Sequence, residues 1–265
     1  MYNNCVFWTK IKNILKQAIY ISFIIFCSVS LNAQRQGLPV NLPVYDEQTI
    51  HFGMALGYNS MDFTIHNSGI FYALDSIYSV ENQPKPGFNI NIVSNLNLHK
   101  YFSFRIMPGL NFGQRNLEYI VHSRVDSSFF KKVMMIESTF LDVPFLIKYK
   151  SKRIGNVRPY LIFGGAYKWD LASQKTIPYA ERPKVRLKPM DIYYAVGFGT
   201  DFFLQYFKFA LEIKLEIGTR NILVHDASQY TMAIERMNSK IIHVSCLFEG
   251  SDIRSFAKIF SRNKK

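Results

Sequence analysis

The sequence predicts an all-β fold: an eight-stranded antiparallel up-and-down transmembrane β-barrel. The clearest evidence is the segment 207–218, in which apolar residues alternate with Lys208, Glu212, Lys214 and Glu216. Period-two alternation predicts a strand with one apolar and one charged face. A strand that crosses a membrane needs about 10 residues of this pattern, roughly twice the usual strand of a soluble sheet. We therefore expect the charged face to line a closed lumen and the apolar face to contact lipid.

The connections between strands give the second observation. Short turns near 99–100, 151–157 and 205 alternate with longer polar connections. This alternation is typical of outer-membrane barrels, in which the termini and tight turns face the periplasm and the long loops face outside. An even number of strands places both termini on one side, so we expect both to be periplasmic.

The N-terminal region gives the third observation, because its pattern predicts an export signal at 1–33. Its basic start, apolar stretch and cleavage residue are Lys10, Lys12 and Lys16, residues 18–31, and Ala33. A retained membrane helix is the rival interpretation, but the apolar stretch is shorter than the ~20 residues that cross a bilayer. Because no long apolar run follows, any membrane insertion of the mature chain must use strands.

Eight strands are predicted. In chain order they lie at 50–63, 87–98, 101–120, 136–149, 158–170, 190–204, 206–219 and 239–249. The fourth and fifth alternate less cleanly, because Leu146 and Ile162 fall on the face expected to be polar. No internal repeat is present, so we expect one barrel domain at 49–249, preceded by an extended periplasmic lead segment at 34–48 and followed by a basic tail at 250–265.

Charge and cysteine content restrict the partners. The formal net charge of +13 favours anionic partners. Behind an export signal we expect no nucleic acid, which leaves outer-membrane lipid, lipopolysaccharide or an acidic protein. Cys246 is the one cysteine after the signal, so no disulfide framework is expected, and its strand parity predicts a small lipid-facing residue.

Aromatic residues make up 15% of the chain, and many lie near predicted strand ends. At those depths their rings would form two interfacial girdles. The predicted girdle residues are Tyr58, Tyr101, Phe102, Tyr119, Tyr149, Tyr160, Tyr167, Trp169, Tyr206 and Phe207. A soluble lipid-binding barrel with inward-pointing aromatics is the alternative, but charges on the inner face argue against it.

An eight-stranded barrel has an interior that side chains can fill, so a wide aqueous channel is not expected. The predicted lumenal charges are Arg105, Arg115, Glu137, Lys148, Lys168, Asp201, Lys208, Glu212, Lys214 and Glu216, with His243 on the same face. Because an unpaired buried charge is costly, this set of mixed sign predicts a salt-bridge plug. A path for protons or ions is the alternative.

Catalytic and metal-binding patterns are weak. The six histidines include no pair at a metal-ligand spacing, so we expect neither a metal nor another cofactor. Three acid–histidine pairs could lie on the outer rim: Asp62 with His66, His122 with Asp126, and His225 with Asp226. No nucleophile is fixed against a base, so we predict a protein that is not an enzyme and takes no small-molecule substrate.

Two basic segments are candidates for docking a partner. The turn at 150–158 contributes Lys150, Lys152, Arg153 and Arg158. The tail contributes Arg254, Lys258 and Arg262 on a segment with an amphipathic helical pattern. A frayed, solvated tail is an equally open interpretation.

Four segments carry a resemblance to a known family. They are NLPVYDEQTIHFG at 41–53, PGFNINIVSNLNLHKYFSFRIMPGLNFGQRNLEY at 86–119, ESTFLDVPFLIKYKSKRIGNVRPYLIFGGAYKWDLAS at 137–173 and GFGTDFFLQYFKFALEIKLEIGTRNIL at 197–223. The chain resembles the PorT/SprT outer-membrane proteins of the Bacteroidota type IX secretion system. The most specific match is FGQRNLEY, which includes Gln114, Arg115, Asn116, Glu118 and Tyr119.

The resemblance implies an integral outer-membrane component needed for type IX protein secretion, and for gliding motility where present. It implies partnership with other components of that system, with this chain as an accessory or docking protein and not the conduit. The main rival is a generic small barrel of the OmpA or OmpX kind with a structural or adhesive role. A rim enzyme is the second rival.

Overall fold

The structure, a computed structural model, describes residues 39–69, 77–122, 128–173, 185–226 and 229–250. The chain divides into two compact units, Met1–Val40 and Asn41–Lys265. In the first unit only the exposed residues 39 and 40 are described, so the following account concerns the second. The predicted export signal at 1–33 and the tail residues Arg254, Lys258 and Arg262 lie outside the described residues.

The strands form a closed ring. Its members are β1 (Ile50–Asn67), β2 (Ile77–Asn97), β3 (Phe102–Ile106), β4 (Gly109–His122), β5 (Phe129–Lys150), β6 (Val157–Asp170), β8 (Met190–Phe203), β9 (Lys208–Gly218) and β11 (Ile234–Glu249). Every neighbouring pair is antiparallel, and β1 pairs with both β2 and β11, which closes the ring. Because β3 and β4 occupy one position, the ring has eight strands, and the predicted all-β fold is confirmed.

The third predicted strand is broken into β3 and β4 at Met107 and Pro108. Proline has no N–H to donate to a ladder, so it interrupts regular pairing. The Pro108 carbonyl still accepts from the Ile92 N–H at 2.9 Å, and the Met107 N–H donates to the Pro144 carbonyl at 3.3 Å. Both halves therefore stay between β2 and β5.

Two strands begin earlier than predicted, and this creates a sheet that projects from the ring. The β1–β2 pairing ends at Met61 and Lys85, and the β5–β6 pairing ends at Phe140 and Asp170. Beyond those points β2, β4 and β5 continue to pair with one another. This projecting sheet lies at the end of the barrel with the long connections, which we call the loop end. The opposite end is the short-turn end.

The loop end also carries short elements. A small sheet joins β7 (Arg186–Leu187) to β10 (Leu223–Val224), and a single helical turn, α1 (Gln229–Met232), precedes β11. Apolar residues of these loops pack on the inner faces of the strand ends, among them Val185, Ile222 and Leu223. The resulting apolar cluster covers the loop end of the lumen.

The faces of the strands follow the predicted pattern. In β9 the charged residues are buried, whereas Leu211 and Ile213 are 46% and 43% exposed on the outside. Leu146 and Ile162, which break the alternation, are buried inside the barrel in a second apolar cluster. Cys246 lies half-buried on the face opposite the buried Leu247.

Two predicted girdle residues are wrong. Tyr119 is fully buried and Tyr160 is 3% exposed, because each shares the inward parity of its strand. The other predicted girdle rings are exposed on the outer surface. Proximity to a strand end therefore did not decide the face, whereas parity did.

Among the described residues, no helix has the length and apolar character needed to cross a membrane.

Candidate functional site

Charged side chains from several strands meet in the half of the lumen nearest the short-turn end. We call this set the lower ion cluster: Arg105, Lys148, Asp201, Lys208, Glu212 and Glu249, each at most 2% exposed. Arg105 donates from Nη1 to Glu212 Oε2 at 2.7 Å and from Nη2 to Glu249 Oε1 at 3.4 Å. Lys208 Nζ donates to Glu249 Oε2 at 2.7 Å. The period-two pattern of β9 places Lys208 and Glu212 on this face.

Tyr160 is built into the same cluster. Lys148 Nζ donates to both carboxylate oxygens of Asp201 at 2.8 Å and lies 3.6 Å from the centroid of the Tyr160 ring. The Tyr160 hydroxyl donates to Glu212 Oε2 at 2.8 Å. This explains why an aromatic residue near a strand end faces inward: its ring contacts a cation and its hydroxyl contacts an anion.

A second group, the middle ion cluster, lies further along the lumen and contains Asp142, Lys168, Lys214, Glu216 and His243. Lys168 Nζ lies 2.7 Å from carboxylate oxygens of both Asp142 and Glu216. Glu216 also contacts Lys214 Nζ at 2.7 Å and His243 Nε2 at 3.0 Å. Each lysine in this cluster therefore has a carboxylate partner.

Arg115 fills the lumen between the middle ion cluster and the loop end. Its guanidinium donates to Ser239 Oγ at 3.0 Å and to Asp170 Oδ2 at 3.3 Å, and it also contacts Ser138. Phe63 flanks it, with the ring centroid 4.4 Å from the guanidinium carbon. Arg115 thus combines charge-assisted hydrogen bonds with a cation–π contact in a fully buried site.

The short-turn end is closed by the lead segment. Residues Pro43–Glu47 form a 3₁₀ helix, so the expectation of an extended segment is wrong at these positions. Tyr45 is 2% exposed, stacks on His51 at a centroid distance of 3.9 Å and donates its hydroxyl to Glu249 Oε2 at 3.0 Å. Burial, followed by the nearby Glu249 and Asp201 carboxylates, raises the pKa of Tyr45 well above its usual value. Tyr45 is therefore a neutral donor.

The basic turn at 150–158 holds this lead segment in place. Arg158 Nη1 donates to Asp46 Oδ1 at 2.8 Å, and Arg153 Nη2 donates to the Asn41 carbonyl and to Asn156 Oδ1. Burial lowers the pKa of the Arg153 guanidinium, which also lies over the Phe203 ring. Both arginines, predicted as partner-docking residues, instead bind the chain's own lead segment.

The two lysines of this turn differ from each other. Lys152 is exposed, and no contact of its side chain occurs within the described residues. Lys150 is 3% exposed and donates from Nζ to Asn97 Oδ1 at 2.9 Å. The predicted docking residues therefore separate into two arginines that are already bound, one surface lysine and one buried lysine.

The segment that carries the resemblance is divided between the two faces of β4. Arg115 and Tyr119 point into the barrel, whereas Gln114, Asn116 and Glu118 share the other parity. Gln114 Nε2 donates to Asn116 Oδ1 at 2.8 Å. Glu118 accepts a hydrogen bond from Gln83 and forms an ion pair with Lys131 at 2.5 Å. This pattern combines a lumenal anchor with a polar outer network on the projecting sheet.

Glu137 is the one predicted lumenal charge that lies elsewhere. It is exposed and has the parity opposite to the buried Ser138, so its assignment to the lumen is wrong. Across the ladder it faces Gln114, in the part of β5 beyond the last pairing with β6. A carboxylate there does not need a partner in the lumen.

The predicted rim residues show no catalytic arrangement within the described parts of the chain. Asp62 accepts hydrogen bonds from Asn82 and the Phe63 N–H, and Asp226 is bound to Arg186. Asp126 lies outside the described residues. In the described ranges, no group of three or more His, Cys, Asp and Glu side chains is placed to hold a metal ion.

A closed ring with an apolar outer surface and a charged, filled interior defines an integral membrane β-barrel. The chain belongs to the family described as outer membrane protein beta-barrel domain, whose model matches residues 32–224. The outer membrane is therefore its location.

Three solved structures illustrate the similarity to outer-membrane proteins. Neisserial surface protein A is 8% identical, with 74% of this chain and 96% of that chain covered and a TM-score of 0.40. OprG from Pseudomonas aeruginosa is 10% identical, with 76% and 93% covered and a TM-score of 0.38. The outer membrane protease OmpT from Escherichia coli is 10% identical, with 81% and 99% covered and a TM-score of 0.36. No curated protein matches the chain.

Proposed function

We propose that this barrel is an accessory component required for protein secretion of the type IX kind, and for gliding motility where present. The observation that supports an accessory role is the filled lumen, in which ion clusters, an apolar cluster and Tyr45 occupy successive levels. An eight-stranded barrel is too narrow to pass a folded protein even without these side chains. The resemblance of FGQRNLEY and its neighbours to PorT/SprT proteins supports the choice of secretion system.

In this proposal the short-turn end faces the periplasm and the projecting sheet faces outside. Both ends of the barrel domain then lie in the periplasm, as expected for an even number of strands. Other secretion components would dock on the periplasmic face, and no reaction is assigned to the protein.

A clean deletion tests the secretion role. Cargo with a type IX signal should accumulate in the periplasm and disappear from the medium, and a plasmid copy should restore export. A plasmid copy carrying Lys152→Glu should restore export less well than one carrying Lys188→Glu at the loop end, because Lys152 alone is exposed on the turn. Normal export by the deletion strain would contradict the proposal.

One observation favours the rival, a structural or adhesive barrel. The projecting sheet exposes Tyr78, Phe129 and Met135, with Tyr78 and Phe129 in an edge-to-face contact at 5.0 Å. Exposed aromatic residues are typical of binding surfaces. If this function is correct, the deletion should leave export unchanged, and the substitutions Tyr78→Ser and Phe129→Ser should reduce cell attachment while the barrel still inserts.

A further inference from the structure

A cleft of about 520 Å³ opens at the short-turn end of the barrel. It lies between the lead segment, the β2–β3 turn and the β5–β6 turn. Its lining includes Lys100, Lys150, Lys152, Leu98 and Tyr101. Lys100 and Lys152 are exposed at its mouth, and Lys150 is buried within it.

Lys150 differs from the other buried lysines of the barrel. Lys148, Lys168, Lys208 and Lys214 each lie 2.7 to 2.8 Å from a carboxylate oxygen. Lys150 has a neutral partner, the Asn97 side-chain oxygen, and no ion pair joins it to a carboxylate in the described residues. A buried ammonium without a counter-charge is unfavourable, so this position is completed by an anion from outside.

The chemistry of the cleft favours a carboxylate over a phosphate. Phosphate sites in proteins commonly use arginine forks and backbone N–H groups. Both arginines of this turn are already bound, Arg158 to Asp46 and Arg153 to backbone carbonyls. The free cations are lysines, and the apolar Leu98 and Tyr101 beside them offer contacts that a single small anion would not use.

The chain's own tail is a poor occupant. Residues 251–265 contain the single acid Asp252 against several lysines and arginines, so the tail and the cleft carry charge of the same sign.

We propose that this cleft binds an acidic, partly apolar segment of a partner protein, with a carboxylate of that segment paired to Lys150. Lys100 and Lys152 attract the segment at the mouth, and Leu98 and Tyr101 contact its apolar side chains. The choice of a periplasmic protein as occupant rests on the proposed function and its orientation. The anion requirement itself rests on Lys150.

Fluorescence anisotropy with the full chain tests this assignment. The chain is placed in nanodiscs of phosphatidylcholine, which has no net charge, and the probe is a labelled peptide of alternating Glu and Leu. We expect saturable binding that weakens with salt, and no binding of the matched peptide with Gln in place of Glu. Lys150→Gln should weaken binding at least tenfold, a loss of about 1.4 kcal/mol.

Two variants serve as controls. Lys150→Arg keeps the charge and should keep most of the binding, and Lys188→Gln, at an exposed lysine of the loop end, should leave binding unchanged. Circular dichroism shows whether each variant keeps its strands. Equal binding by Lys150→Gln, or equal binding of the Gln peptide, would overturn the proposal. Displacement of the Glu peptide by inorganic phosphate or by phosphatidylglycerol would assign the cleft to a phosphate group and would also overturn it.

The two proposals can fail separately. Normal export by the deletion strain, together with peptide binding that depends on Lys150, would remove the secretion role and leave the cleft as a carboxylate site. A secretion defect without peptide binding would leave the secretion role and remove the cleft.

Discussion

At the scale of single residues, the interior is held together by charge pairs that form between strands. Lys168 on β6 contacts Asp142 on β5 and Glu216 on β9, each at 2.7 Å. These partners lie far apart in the sequence and meet only because the ring closes. Removing one member of such a group leaves the others buried without compensation, which costs more than the net contribution of the pair.

The variant Lys168→Met should therefore lower the free energy of unfolding by about 3–5 kcal/mol. Unfolding in urea from lipid vesicles, followed by tryptophan fluorescence, measures the change. The control Lys188→Met removes an exposed lysine and should change stability by less than about 0.5 kcal/mol. Equal stability of the two variants would contradict the importance of the middle ion cluster.

Neighbouring glycines of β6 give a second prediction. Gly164 lies opposite Leu146, and an added Cβ would come closer to the Phe145 carbonyl than side-chain atoms normally do. Gly165 faces the other way, where the nearest atom to an added Cβ, the Tyr193 carbonyl oxygen, is 3.4 Å away. Gly164→Ala should destabilise the barrel by about 1–3 kcal/mol, and Gly165→Ala by less than about 0.5 kcal/mol. Urea unfolding of both variants would show a reversed order if the register of β5 and β6 were different.

At the scale of elements, the lead segment acts as a stopper for the short-turn end. Tyr45 is its anchor, through ring stacking on His51 and a hydrogen bond to Glu249. Around it, Arg153 and Arg158 bind the segment from the neighbouring turn. The stopper is thus fixed by one buried ring and by contacts at the edge of the lumen.

Substitutions at Tyr45 separate these contributions. Tyr45→Phe keeps the ring and should weaken docking by about 0.5–1.5 kcal/mol, whereas Tyr45→Ala should weaken it by about 3–5 kcal/mol. Amide hydrogen exchange of residues 41–48 measures docking, and it should be faster in Tyr45→Ala than in Tyr45→Phe. Equal protection in both variants would show that the arginines alone hold the segment.

The pKa of Tyr45 gives this element a pH dependence. The docked tyrosine has a raised pKa, whereas an undocked tyrosine ionises near pH 10. Docking stability is therefore complete below about pH 10 and falls as the pH rises above it. Exchange of residues 41–48 should accelerate above that pH in the native sequence and much less in Tyr45→Phe.

At the scale of the whole molecule, the lumen is blocked at every level. The lower and middle ion clusters, Arg115 and the apolar cluster follow one another from the short-turn end to the loop end. Because the cations of each cluster face carboxylates, the interior is close to neutral despite the strongly basic composition. The surplus positive charge lies outside the clusters, where it can attract anionic partners.

Vesicles that contain the purified barrel should therefore swell in a small sugar no faster than empty vesicles, and planar bilayers should show no stable conductance steps. A wide porin in the same vesicles provides the positive control. Steady conductance would show that the filled interior opens.

Alternation of apolar and polar residues was sufficient to predict the eight strands, their inner and outer faces and the charged lumen, because side-chain direction follows parity within a strand. It did not determine which charges pair, since partners such as Arg105 and Glu212 meet through ring closure. The same limit explains Glu137 and Tyr160, whose faces depend on a continuous strand and on contacts across the lumen. The docking of Tyr45 was also decided by the tertiary structure alone, because a buried site for its ring exists only after the barrel has formed.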